Sequence, residues 1–302
     1  MRLESAATPF HRPGLDDIVQ LYDKRKKLIY PRFTRSIENR SAYFRAATEG
    51  DFPIAQPIER GDNIPLMDFA TPFYKDHNYT KYGLGFEWDL DASSSDKYGL
   101  FSRRGPKMVD ATRRAMEIDM AGFVSLATAT TNEYLTPDGL PLASASHLLA
   151  NGTDSNILTG NPALSVTSLA QAIQALMRQK SHEGDYMGFT GPYILLVPPE
   201  LADLAYRLTG PGRQPTTNNN EQGWVNTIVS EVVVNPYFTS PTAWALVVAE
   251  KSRNPLVMVN RRGLVTRTQE LQIHNDTAMA TVTAIWVRAS LDWRGFIYSG
   301  GI

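Results

Sequence analysis

Residue types that do chemistry are present, but their spacing argues against a built catalytic centre. The five histidines, His11, His77, His147, His182 and His274, are widely separated. None stands three or four residues from another, as a helical zinc-binding pair requires, so each reads as a solvated or capping imidazole. Along Phe86-Glu87-Trp88-Asp89-Leu90-Asp91 carboxylates alternate with apolar side chains. The two-residue period of a strand places Glu87, Asp89 and Asp91 on one face, where they could hold a hard divalent cation, remain solvated, or meet Arg or Lys of a neighbouring chain. Asp138 and His147, with Ser144 and Ser146, are the types used in nucleophilic catalysis. No G-x-S-x-G elbow exposes a serine, however, and Asp138-Gly139 is explained by turn chemistry. Neither a G-x-x-x-x-G-K-[ST] phosphate loop nor a G-x-G-x-x-G fingerprint occurs. Lys24-Arg25-Lys26-Lys27 reads as the solvated cationic end of a helix, or as a contact to DNA, a scaffold or an adjacent subunit. The residues call for no cofactor, no metal and no catalytic group.

Bulk composition narrows the classes further. With Lys+Arg 30 against Asp+Glu 31, the chain lacks the basic balance of a protein whose main work is gripping phosphate. It has no cysteine, which excludes disulfides, thiolate metal sites and cysteine nucleophiles together. At 302 residues and 42% hydrophobic it can fill a core or two. No apolar run approaches the roughly 18 residues of a membrane span, and Met1-Arg2-Leu3-Glu4 opens no apolar signal core. The expectation is a soluble, cytosolic protein with no membrane partner.

The elements that would position these residues follow from periodicity. Leu15 to Leu28 suits a short amphipathic helix. Pro31, Pro53, Pro57, Pro65 and Pro72 then break the chain into an extended arm. Residues 75 to 104 read as a long hairpin, with Leu100-Phe101 starting the return. Pro106 at a first turn opens a helix whose Val109, Met116, Met120, Phe123 and Ala127 recur at helical spacing, ~34 Å long if it runs to Thr128. Ser165 or Ser168, with Gln171 completing a capping box, announces a second helix striped by Leu169, Ile173 and Leu176. Tyr193 to Val197 reads as a buried strand feeding the helix Leu201 to Leu208, stopped by Gly210. Val225 to Val234, Trp244 to Ala249 and Leu256 to Val259 favour strand, and Leu264 to Ile273, Met279 to Ala289 and Trp293 to Tyr298 suggest a closing antiparallel meander. The class is α+β.

Pro137-Asp138-Gly139-Leu140-Pro141-Leu142, then His147, Asn151-Gly152, Ser155-Asn156 and Leu164-Ser165, resembles the central signature of the Mu-like major head subunit family of tailed phages. Gly188 to Leu208, with its Pro-x-x-Leu-Leu-Val-Pro-Pro-Glu-Leu core, resembles the strand and helix that lead into the axial domain of such proteins. The order of arm, hairpin, long helix, α/β insertion and closing strands is similar to the Hong Kong 97-type capsid fold. The resemblance implies an N-arm over residues 1–74, an E-loop hairpin over 75–104, a peripheral domain over 105–189 with a spine helix at 106–128, an axial domain over 190–260, and closing strands of the peripheral domain over 261–302. It further implies a shell-building subunit rather than an enzyme. Phe73, Tyr74, Phe86, Glu87, Trp88, Asp89, Leu90, Asp91, Arg103 and Arg104 become subunit-interface candidates, and Asn218, Asn219 and Asn220 the loop at the capsomer axis. The implied partners are further copies in hexamers and pentamers, portal and scaffolding proteins, a decoration protein, and packaged double-stranded DNA held without sequence preference. The implied location is the virion, assembled in the host bacterial cytoplasm. Some relatives of the fold cross-link a hairpin lysine to a neighbour's asparagine, for which Lys75, Lys81 and Lys97 are the local candidates. The alternatives are an encapsulin-like cellular shell, a tail or head-completion ring, or an α/β hydrolase-like enzyme using Asp138, His147 and a serine.

Overall fold

Val109, Met116, Met120 and Phe123 are all buried along one helix, α1, that spans Leu100–Ser125. At 1.5 Å per residue it is ~39 Å long. The computed structural model describes residues 27–48, 50, 55, 57–58, 63–64, 66, 73–89, 100–210, 224–272 and 277–302. The expected helix at Leu15 to Leu28, apart from Lys27 and Leu28, lies outside these residues, as do most of the arm, Leu90, Asp91 and Asn218 to Asn220.

Two expectations fail at the start of α1. Leu100-Phe101 is helix rather than a returning strand, so Arg103 and Arg104 belong to α1. Pro106 sits in the second turn, where it gives up the backbone bond to Ser102 instead of occupying the first helical position. The reason lies in strand pairing. β4 (Thr80–Asp89) pairs antiparallel with β11 (Thr277–Ser290), from Thr80↔Trp286 to Asp89↔Thr277, and so needs no returning partner from the residues that follow it. The long hairpin is instead β10 (Leu256–Gln272) with β11, and β4 is its third strand.

The first sheet has the order β1-β10-β11-β4, with β1 (Arg35–Glu38) parallel to β10. One face meets α1: Met258, Ala284 and Trp286 pack with Met116, Met120 and Phe123, and Val282 with Met108 and Val109. On the other face Val257, Val259 and Ala289 bury Phe44 and Ala46 of β2 (Tyr43–Thr48), which pairs with β3 (Phe73–Asn78). Glu117 of α1 accepts the backbone N–H groups of Ile29 and Tyr30 and thereby pins the incoming arm to the helix.

The second sheet has the order β12-β9-β7-β8, made of Phe296–Ser299, Trp244–Val248, Tyr193–Val197 and Val229–Val234. Every residue of β7 and β9 is buried. Their unbroken apolar runs follow from cover on both faces. Ile194, Leu196, Ala245 and Val247 join the α1 core, while Leu195, Val197, Trp244 and Leu246 face α2 (Val166–Met177) and α3 (Ala202–Thr209). Three further corrections arise here. β12 completes this sheet rather than closing a terminal meander, because Phe296 and Ile297 fill the cores on its two sides. Val225–Ile228 forms a helical turn, α4, that drops Val225 into the α2 core, so burial overrides the strand preference of valine. The capping box of α2 is Ser165 with Ser168: Ser165 Oγ accepts the Ser168 N–H at 3.1 Å and Ser168 Oγ accepts the Ser165 N–H at 2.8 Å, without Gln171.

Candidate subunit interface

The alternation read along β4 positions its side chains. Tyr82, Phe86 and Trp88 are partly buried on the α1 side, whereas Glu87 and Asp89 are exposed on the opposite, outer face. Tyr82 stacks on Trp286 at 3.8 Å, and the Phe86 and Trp88 rings lie 4.9 Å apart. The Arg104 guanidinium sits 5.7 Å from the Phe86 ring, so Phe86, Trp88 and Arg104 form a cluster within one chain. Arg103 falls in the first turn of α1. Leu84 and Met279 are about half exposed on neighbouring strands.

At the root of the outer face lies a group that sequence reading missed. β1 ends at Glu38 beside Asn260, and Arg40, Arg261, Arg262 and Ile285 line a cleft of about 690 Å³ there. The Arg261-Arg262-Gly263 run was the available signal, but Arg40 reaches it only through the parallel pairing of β1 with β10.

Phe73 and Tyr74 begin β3. Phe73 packs edge-on to His182 at 5.4 Å, while Tyr74 is 63% exposed beneath the guanidinium of Arg45, 4.8 Å from its ring. Arg45 is held by both Asp76 carboxylate oxygens at 2.7 and 2.8 Å. Lys75 is engaged within the chain: its Nζ donates to the Leu135 carbonyl at 3.0 Å and to that of Asn132, and burial pushes its ammonium below the ordinary lysine value. His77, 5% exposed, has an Nε2 with no partner among the described residues. Burial pulls its imidazole down to about 4, helped by the positive charges of Lys75 and Arg288 and opposed by Asp76. Arg288 is itself buried, donating to the Asp119 carbonyl at 2.8 Å and lying over Tyr134 and Phe123. Gly122 makes that position available, since a Cβ there would stand 1.4 Å from Arg288 Nη1.

Asp138 and His147 do meet, but as a buried hub. His147 Nδ1 lies 2.7 Å from Asp138 Oδ2, and its Nε2 lies 3.2 Å from Asn156 Oδ1. Asn156 Oδ1 also accepts the Ser144 N–H at 2.8 Å, and its Nδ2 donates to the Leu142 carbonyl at 2.6 Å, so the amide oxygen faces the ring. Both imidazole nitrogens are therefore engaged, one by the carboxylate and the other by the amide. The ring stacks on Trp293 at 4.4 Å and is fully buried. Burial raises the Asp138 carboxyl, but hydrogen bonds from His147 and Thr136, the His147 charge and the Leu140 N–H outweigh it and leave the group below the ordinary carboxylate range. Ser144 Oγ accepts the Ser146 N–H rather than facing His147. A hydrolase needs a base facing a serine and a path for substrate, and His147 has neither. Among the described residues no group of three His, Asp or Glu is placed to hold a metal, and no helix is long and apolar enough to cross a membrane.

A family model described as phage capsid protein matches residues 79–299, from β4 through β12. No curated protein sequence matches. Among solved structures, the virus-like particle from Pyrococcus furiosus is 12% identical over 95% of this chain and 96% of that one, with a TM-score of 0.54. The capsid of cyanophage P-SCSP1u is 11% identical over 91% and 88%, with a TM-score of 0.56. The mature capsid of bacteriophage PhiM1 is 12% identical over 90% and 86%, with a TM-score of 0.52. At such identities the likeness to these structures is one of fold, and the family match supplies the rest: this chain belongs to the phage capsid protein family and carries the Hong Kong 97-type capsid fold.

Proposed function

We propose that this chain is the major head subunit of a tailed phage, forming the hexamers and pentamers of an icosahedral shell around packaged double-stranded DNA, and that its work is assembly rather than catalysis. The observation that carries this reading is the extended sheet. β10 runs 17 residues and β11 14, against about 5–6 for an ordinary strand, and their far halves with β4 bear exposed Leu84 and Met279. Strands of that length gain burial when a neighbouring subunit supplies it. On this reading residues 1–74 are the N-arm, β4 with the distal β10–β11 hairpin is the projecting E-loop region, α1 and the first sheet form the peripheral domain, and the second sheet with α2 and α3 forms the axial domain. Asn218 to Asn220 then face the capsomer axis. Portal and scaffolding proteins are its natural partners, assembly takes place in the host cytoplasm, and a decoration protein is compatible with the exposed outer faces.

Light scattering and sedimentation of the purified chain, alone and co-expressed with a phage scaffolding protein, test this. Capsomers or shells are expected. A monomer under both conditions would overturn it.

A further inference from the structure

We infer that the outer face of the sheet β10-β11-β4 is a two-ended contact for a second copy of this chain, the Glu87 end of one copy seating in the Arg40/Arg261/Arg262 cleft of the next. The inference rests on the shell reading above and names the charges that would give its contacts direction.

The positive end is created by irregular pairing. The register of β10 against β11 slips between Asn260 and Arg262 and again between Arg262 and Val265, which opens the cleft of about 690 Å³ beside Ile285. Three guanidiniums share that cleft with the single carboxylate of Glu38. Arg262 donates to Thr283 Oγ1 at 2.9 Å but leaves its Nε without a partner, and Arg261 lies over the Tyr79 ring at 5.7 Å. Among the described residues none of the three arginines makes an ion pair. Three cations against one carboxylate leave the cleft net positive, and an incoming carboxylate relieves the repulsion among them.

The negative end is on the same face but out of reach. Lys81 stands opposite Ile285 at the cleft, whereas Glu87 stands opposite Met279. Six residues at about 3.3 Å each separate them by ~20 Å, several times the length of a glutamate side chain. Glu87 therefore cannot fill its own cleft, although it can fill that of a neighbour. Between the two ends Gly83 and Gly85 lie beside Thr283 and Thr281, and a Cβ at Gly85 would come within 3.1 Å of the Ala280 carbonyl. This leaves a shallow floor on which another chain can lie close.

A protein carboxylate fits this surface better than a nucleic-acid backbone. A phosphate chain laid along the face would meet Glu87 as well as Glu38, whereas a single acidic side chain entering the cleft meets three arginines against one carboxylate. Because the two ends differ, the contact is heterologous, and such contacts close into rings when the rotation between copies permits.

Charge reversal tests the pairing. Glu87→Arg, the pair Arg40→Glu with Arg261→Glu, and all three together would be compared with the parent, each first shown folded by circular dichroism and melting temperature. At low salt each partial reversal is expected to raise the concentration needed for assembly by about 10-fold or more, and the full swap to bring it back to within about 3-fold of the parent. A 1:1 mixture of the two partial reversals should form hexamers but not pentamers, because matched neighbours must alternate. Folded partial reversals that assemble like the parent would overturn the pairing while leaving the shell reading intact. A full swap no better than its parts would do the same. A parent chain that never assembles would overturn the shell reading and this contact with it.

Discussion

His77 should make the fold sensitive to mild acid, and the size of the effect follows from its surroundings. The ring is 5% exposed, lies near Lys75 and Arg288, and has its pKa lowered from the ordinary 6.5 to about 4. As pH falls below 6.5 the unfolded chain takes up a proton that the folded chain refuses until about 4. Stability from this group is therefore complete above 6.5, drains away between the two values, and is gone below 4. At 1.36 kcal/mol per pKa unit the loss is ~3 kcal/mol. His77→Phe keeps a ring in the cavity and removes the titration. Urea unfolding of the dilute, unassembled chain at pH 7, 5.5 and 4 would measure it. The parent should lose ~3 kcal/mol more than the variant between pH 7 and 4, while other acid-labile groups, common to both, cancel in the comparison. Parallel pH curves, within about 0.5 kcal/mol, would refute the reasoning.

Two other perturbations follow from the described contacts. Gly122→Ala places a Cβ where Arg288 Nη1 now lies, so it should expel a buried guanidinium from its bond to the Asp119 carbonyl and cost ~3 kcal/mol or more, seen as a fall in melting temperature. Asp138→Asn leaves the buried His147 without its carboxylate and should destabilise by ~3 kcal/mol at pH 7. Because the Asp138 carboxyl titrates below its ordinary value, the parent keeps that contribution above the unfolded value and loses it as pH falls through the folded one, so chemical unfolding should show the gap between parent and variant narrowing in acid.

Periodicity reported which side of an element is buried, and fell silent on what covers it. Val109, Met116, Met120 and Phe123 announced α1, and the unbroken Tyr193 to Val197 run announced a strand covered on both faces. The start of α1 is misplaced because proline at a first turn is the usual signal, and nothing local shows that β4 takes Trp286 and its neighbours as partners about two hundred residues later. The same blindness to long-range pairing sent β12 to the wrong sheet. At the candidate interface the alternation of Glu87 with Phe86 and Trp88 was legible, whereas the arginine cleft depends on β1 lying parallel to β10. His147 was visible as chemistry-bearing, but its role as a hub is set by Asn156 and by Trp293, which arrives from the far end of the chain.

Electron cryomicroscopy of the recombinant chain, expressed alone and with a phage scaffolding protein, tests the central claim most directly. Closed icosahedral shells, with the β10-β11-β4 sheet of each subunit lying on its neighbour, are the predicted result. Particles in which that sheet is left bare, or a field of monomers, would contradict it.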